Sequence, residues 1–215
     1  MEQILFRTDK QVGIMKEIGL DNVALLVIDV QNAFCHRSGS LAKLGKDIDS
    51  LVRIREPCRE LVVVAHSQAI PVIYTRNVYR ADYSDRGVMA HEIRPVLKEV
   101  QSCVHGTWDA ELTEEFIVEQ RDYCFDKSRP SAFFNCGVDT VLRNLNITTV
   151  VICGVTTSIC VESTVRDASQ RDYRTFVVSD AVAELERARH DASLVTMEYF
   201  FAHIIELREA LSQWA

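Results

Sequence analysis

Val23-Ala24-Leu25-Leu26-Val27-Ile28-Asp29 decides the fold class. Six apolar residues follow one another with no polar alternation, and a carboxylate then ends the run. A strand with one wet face would alternate. An unbroken run of this length reads as a strand covered on both faces, as in a parallel sheet. Similar runs recur at 70–75 (IPVIYT), 122–126 (DYCFD, weaker), 148–153 (TTVVIC), 175–178 (TFVV) and 203–205 (HII, short). Helical patterns at 57–68, 139–145, 159–170, 187–200 and 207–214 lie between or after them. Pro57 suits a first helical turn. The run Leu61-Val62-Val63-Val64 has strand propensity, but the next strand follows so soon after Gln68 that we assign it to the helix. Strand–helix alternation predicts an α/β fold with right-handed crossovers.

The rest of the chain narrows the class. It has 215 residues, 47% hydrophobic and 26% charged, within the normal range of a globular protein. With no repeat, low-complexity tract or Pro/Gly/Ser linker, it reads as one domain over 1–215. Lys and Arg number 24 against 31 Asp and Glu, for a net charge of −7. That balance argues against nucleic acid and against an anionic membrane as partners. Residues 1–10 lack the basic and long apolar regions of a signal peptide, and the apolar runs at 23–28 and 61–65 are too short to span a bilayer. The seven cysteines (35, 58, 103, 124, 136, 153 and 160) are odd in number and form no CxxC pair. They read as reduced thiols of a cytoplasmic protein, most of them small buried hydrophobes.

Ligands of such sheets bind beyond the carboxyl ends of the strands, so the residues there matter most. After the first strand stands Asp29, in Ile28-Asp29-Val30-Gln31-Asn32; its position suits a cap or turn as well as catalysis. After the third stands Lys127, by itself an ordinary surface residue type. After the fourth comes Gly154-Val155-Thr156-Thr157-Ser158-Ile159-Cys160, which puts a cysteine on the first turn of a helix. A buried core thiol is the commoner fate of a single Cys, but a helix start and a nearby Lys would lower a thiol's pKa. An adjacent carboxylate would take its proton. Carboxylate, ammonium and thiol at three strand ends make a coherent nucleophilic site.

The stretches LLVIDVQNAF (25–34), IPVIYTRN (70–77), GTWDAEL (106–112), DKSRPSAF (126–133) and CGVTTSICVESTVRDASQRDY (153–173) resemble the cysteine hydrolases of the isochorismatase-like superfamily. Together they span nearly the whole chain. The resemblance implies a three-layer α/β/α sandwich around a six-stranded, mainly parallel sheet. It implies Asp29 as general base and acid, Lys127 as electrostatic partner and Cys160 as nucleophile. It further implies a cis Val155–Thr156 peptide and an oxyanion hole from the backbone N–H groups of Thr156 and Cys160. Nicotinamidase relatives carry an Asp-x-His metal motif after the second strand. This chain reads Thr75-Arg76-Asn77-Val78-Tyr79-Arg80 there, so we expect no metal and no cofactor. The stretch 29–45 (DVQNAFCHRSGSLAKLG) is most similar to the branch containing biuret, ureidoacrylate and N-carbamoyl amide hydrolases.

The expected activity is therefore cleavage of a C–N bond in a small amide or ureide through a thioester, with release of ammonia or an amine. The alternatives are a vinyl-ether hydrolase of isochorismatase type and a non-catalytic or redox-sensing protein on the same fold. Candidate substrate contacts are Gln31, Asn32, Phe34, Arg76, Asn77, Tyr79 and Tyr83, with Arg80 and Trp108 nearby. Gln31 and Asn32 suit a ureide or the turn backbone; an Arg suits a carboxylate. His36 and His105 are not expected to be ligands, and Glu162 reads as a helix N-terminal charge. The resemblance also implies a homo-oligomer, with a tetramer as the expected form. No GxGxxG follows the first strand, which excludes a dinucleotide enzyme.

Overall fold

The computed structural model describes residues 17–214; the segment 1–10 discussed above lies outside them. Among the described residues the six strands are β1 Val23–Ile28, β2 Val72–Asn77, β3 Tyr123–Lys127, β4 Thr149–Val155, β5 Arg174–Ala183 and β6 His203–Ile205. They form one sheet in the order β3-β2-β1-β4-β5-β6, and every neighbouring pair is parallel. β1 is buried along its whole length, as its unbroken apolar run requires.

Strand side chains alternate between two cores. Leu25, Val27, Val72, Tyr74, Val151 and Phe176 pack on one face against Cys58, Leu61 and Ala65 of helix Arg55–Ser67 and Ala210 and Trp214 of helix Leu207–Trp214. Ala24, Leu26, Ile28, Ile73, Val150 and Ile152 pack on the other against Leu142, Val165 and Met197. These come from helices Val138–Asn144, Glu162–Ser169 and Arg187–Phe200. The result is three layers, α/β/α. Leu61 and Val62 are buried in a helix and not in a strand, because the amphipathic spacing of the longer segment outweighs the local β-propensity.

The chain leaves β1 toward β2 and β3, then returns to build β4, β5 and β6 on the other side. This reversal opens a crevice between the carboxyl ends of β1 and β4. The register aligns Ile28 with Thr75 and with Gly154, and Asn77 with Lys127.

Two local expectations are corrected. β5 continues beyond Val178 to Ala183, since a register shift after Ile152 lets Gly154 and Val155 pair with Val182 and Ala183. Lys127 is the last residue of β3, not the residue after it. The segments 32–46 and 76–110 carry short helical turns at Asn32–Cys35, Ser40–Lys43, Met89–Ile93, Val96–Glu99 and Trp108–Ala110. Among the described residues no helix is long and apolar enough to cross a membrane.

Candidate active site

Asp29 leaves β1 with φ 53, in the left-handed region, a conformation uncommon for a non-glycine residue but best tolerated by Asp and Asn. The turn places its carboxylate, fully buried, under three donors. Thr75 Oγ1 donates to Oδ1 at 2.7 Å, Asn77 Nδ2 to Oδ2 at 2.5 Å and Lys127 Nζ to Oδ2 at 2.7 Å. Thr75 and Asn77 come from β2, the neighbour of β1, and Lys127 from β3 beyond it. Lys127 Nζ also donates to Arg129 O at 3.2 Å. Both members of the ion pair have no exposed side-chain surface. Burial works against the Lys127 ammonium, but Asp29 and Cys160 outweigh it, so its pKa lies above the ordinary lysine range.

Cys160 reaches the same place from the other side of the crevice. The Val155–Thr156 peptide is cis, and a single π-type turn, Thr157–Val161, precedes helix Glu162–Ser169. The wider turn explains why the helix does not start as a plain α-helix at Ile159. Thr156 O accepts from Ile159 N at 3.1 Å and from Val161 N at 3.2 Å. Thr164 Oγ1 donates to Cys160 O at 2.7 Å. Glu184 anchors the turn from β5's end, accepting from Ser158 N at 3.2 Å and from Ser158 Oγ at 2.5 Å. Cys160 is 9% exposed. Its Sγ accepts from Asn77 Nδ2 at 3.4 Å, so one amide group touches both Asp29 and the sulfur.

The expectation of a thiol held down by a helix start and a lysine is corrected. Burial pushes Cys160 up to about 12; Lys127 draws it down and Asp29 raises it further. Burial thus favours the protonated thiol, and the Asp29 carboxylate shares the Asn77 amide with this sulfur.

The other candidate residues separate into groups. Asn77 lies at the centre, and Tyr79 Oη donates to Asn77 Oδ1 at 3.0 Å. That contact fixes the amide with Nδ2 facing Asp29 and Cys160. Gln31 is a clamp: Nε2 donates to Asn77 O at 2.9 Å and Ala110 O at 2.7 Å, while Oε1 accepts from Asn77 N at 2.7 Å. Asn32 Nδ2 donates to Trp108 O at 2.9 Å. Arg76 pairs with Asp126 at 2.8 Å and with Glu111. Tyr83 is buried and donates to Ser102 O at 2.7 Å, away from the acid–thiol pair. Phe34 is half-buried beside the cluster of Tyr79, Tyr83 and Cys103. Trp108 is 49% exposed and meets the His36 ring edge-on at 4.9 Å. Glu162 sits in the first turn of its helix and pairs with Arg166.

Thr75 and Glu184 were not singled out from sequence. The signal for Thr75 is weak: a polar residue in strand 70–75 one register step from Asp29. Glu184 carries no motif at all. A cavity of about 710 Å³ has Tyr79, His105, Lys127 and Asn135 among the residues that line it, but not Asp29 or Cys160.

The family model of the isochorismatase domain matches residues 23–209. The ureidoacrylate amidohydrolase RutB of Methylorubrum extorquens is 30% identical over 200 residues, covering 87% of this chain and 80% of that protein. Among solved structures, a cysteine hydrolase from Pseudomonas syringae pv. phaseolicola 1448A superposes with a TM-score of 0.84 at 29% identity, over 93% of this chain and 95% of the other. N-carbamoylsarcosine amidase from Thermoplasma acidophilum superposes with a TM-score of 0.71 at 26% identity, over 86% and 96%.

Proposed function

The chain belongs to the isochorismatase family of hydrolases, and on that footing we propose that it is a cysteine amidohydrolase that cleaves the C–N bond of a small amide or ureide. The observation that carries this reading is the single amide of Asn77 bonded to both the Asp29 carboxylate and the Cys160 sulfur, with Lys127 on the same carboxylate. The similarity to ureidoacrylate and N-carbamoylsarcosine hydrolases points to the same class of bond.

In this mechanism Asp29 takes the Cys160 proton as the sulfur attacks the carbonyl carbon. The Lys127 ammonium, paired with the Asp29 carboxylate beforehand, balances the charge that develops on sulfur. The backbone N–H groups of Thr156 and Cys160 receive the oxyanion, each such donor being worth about 2.7–4 kcal/mol in known hydrolases. Asp29 then gives its proton to the departing nitrogen, so that ammonia or an amine leaves and a thioester remains. Water, deprotonated by Asp29, attacks the thioester, and the proton returns to the Cys160 sulfur.

An ammonia-release screen across biuret, 3-ureidoacrylate, N-carbamoyl amino acids, simple amides and nicotinamide tests the reading. At least one amide or ureide turns over, and Cys160→Ala and Cys160→Ser abolish that turnover while the circular-dichroism melt stays that of a folded protein. Full activity in either variant rules the mechanism out.

A further inference from the structure

The turn Thr157–Val161 is wider than an α-helical one. In a regular α-turn Thr156 O would accept the N–H of Cys160, four residues on. Here it accepts from Ile159 N at 3.1 Å and from Val161 N at 3.2 Å, and not from Cys160 N between them. The wide form therefore leaves unspent on Thr156 O the very N–H that, with that of Thr156, is assigned to the oxyanion. Something has to hold the turn open, because closing it to the α pattern would make a regular helical hydrogen bond out of that N–H.

Glu184 meets this requirement. It directly follows β5, whose Val182 and Ala183 pair with Gly154 and Val155 of β4. Its side chain is only 1% exposed, and a buried carboxylate is costly without hydrogen-bond partners. Oε2 accepts from Ser158 N at 3.2 Å and from Ser158 Oγ at 2.5 Å. Oε1 accepts from Leu185 N at 2.9 Å and from Arg189 Nη2 at 3.2 Å. One carboxylate oxygen thus holds the middle of the turn, and the other is fixed by the end of β5 and the start of helix Arg187–Phe200. Ser158 lies midway in the chain between Thr156 and Cys160, the two oxyanion donors.

We propose that Glu184 is the positioning residue of the oxyanion hole: by gripping Ser158 it keeps the turn wide and the Cys160 N–H available to the carbonyl oxygen under attack. The inference rests on the cysteine amidohydrolase reading and adds the group that maintains the hole. Glu184 acts through Ser158 and not on the reacting atoms.

The test compares two reactions of the same sulfur. With 4-nitrophenyl acetate, Cys160 Sγ bonds to the acetyl carbon through an oxyanion, the thiol proton passes to Asp29, and 4-nitrophenolate leaves. With iodoacetamide, the sulfur displaces iodide from a CH2 carbon, and no oxyanion forms. Both rates are read at Cys160 by peptide mapping, with Cys160→Ala as the blank for the six other cysteines. Glu184→Ala lowers the acetylation rate by about 10- to 100-fold and changes alkylation by less than about 2-fold. Glu184→Gln keeps an acceptor oxygen for Ser158 and restores part of the acetylation rate. If Glu184→Ala does not fold, Ser158→Ala decides: it loses one of the two contacts, so acetylation falls about 3- to 10-fold with alkylation unchanged. Equal losses in the two reactions, or acetylation at the wild-type rate, overturn the inference. A wild-type Cys160 that is alkylated but never acetylated overturns the amidohydrolase reading instead, and the role of Glu184 with it.

Discussion

Asp29 and Lys127 form a salt bridge with no side-chain exposure on either partner. Removing one member of such a pair leaves an uncompensated buried charge, typically destabilising by about 3–5 kcal/mol. Lys127→Met should therefore lower stability by that order in urea unfolding, in addition to abolishing turnover. A loss below about 1 kcal/mol would mean that the pair is solvated. Tyr79→Phe isolates a subtler effect. It removes the hydroxyl that orients the Asn77 amide but keeps the ring under Arg86. We expect kcat to fall about 10-fold, the scale of one lost hydrogen bond to a committed polar group, with KM nearly unchanged and the melting temperature lower by roughly 2–4 °C per kcal/mol lost. A change in KM alone would make Tyr79 a substrate contact instead. Asp29 could be singled out because an apolar run stops at it, Cys160 because it falls on the first helical turn after one, and Lys127 in their company. Glu184 and Thr75 could not, because what matters about them is which partners they have, and only the folded chain decides that.

β1 and β4 run so close at their ends that Gly154 has no substitute. Its φ is +115, and a Cβ there would lie 2.0 Å from Ile28 O and 2.7 Å from Ile28 N. Both atoms are backbone, so neither can turn aside. Gly154→Ala is expected to give insoluble protein or a melting temperature lower by more than about 10 °C, given that 1 kcal/mol shifts Tm by roughly 2–4 °C in domains of this size. A melt within about 2 °C of wild type would contradict the backbone contact seen here. The strands and the long helices could be read from sequence because their apolar periods are long and regular. The helix at 187–200 matches Arg187–Phe200, and that at 207–214 matches Leu207–Trp214. The short turns between 32 and 46 and between 76 and 110 could not, since four- or five-residue helices hold too few positions to show a period. β5 was cut short for a related reason: Ser179 and Asp180 interrupt its apolar run, and pairing with β4 carries it past them.

The whole molecule is organised by its topological switch, which brings residues 29, 77, 127 and 160 to one crevice although they are far apart in sequence. The six-stranded three-layer form was implied by family resemblance, and the strand order was not read at all, because runs of β-branched residues carry no information about their neighbours in the sheet. Burial on both sheet faces has a further consequence at high pH. Burial pushes the thiols of Cys35, Cys58, Cys103 and Cys160 above their ordinary value of 9.0. Above pH 9 the unfolded chain loses these protons while the folded chain keeps them. The unfolded state then binds fewer protons, and stability falls as pH rises; below pH 9 these groups contribute nothing to the pH dependence. The Lys127 shift has the same sign above its unfolded value of 10.5. The urea midpoint should be flat from pH 7 to about 8.5 and decline beyond 9; a midpoint that climbs between pH 9 and 10.5 would contradict it. The most direct test of the account as a whole is peptide mapping by mass spectrometry of enzyme acid-quenched within milliseconds of mixing with a ureide that it hydrolyses. The acyl group should be found on Cys160, absent from Cys160→Ala, and trapped in smaller amount by Asp29→Asn. Rapid turnover with an unmodified Cys160 in the wild type, and undiminished turnover in Cys160→Ala, would contradict it.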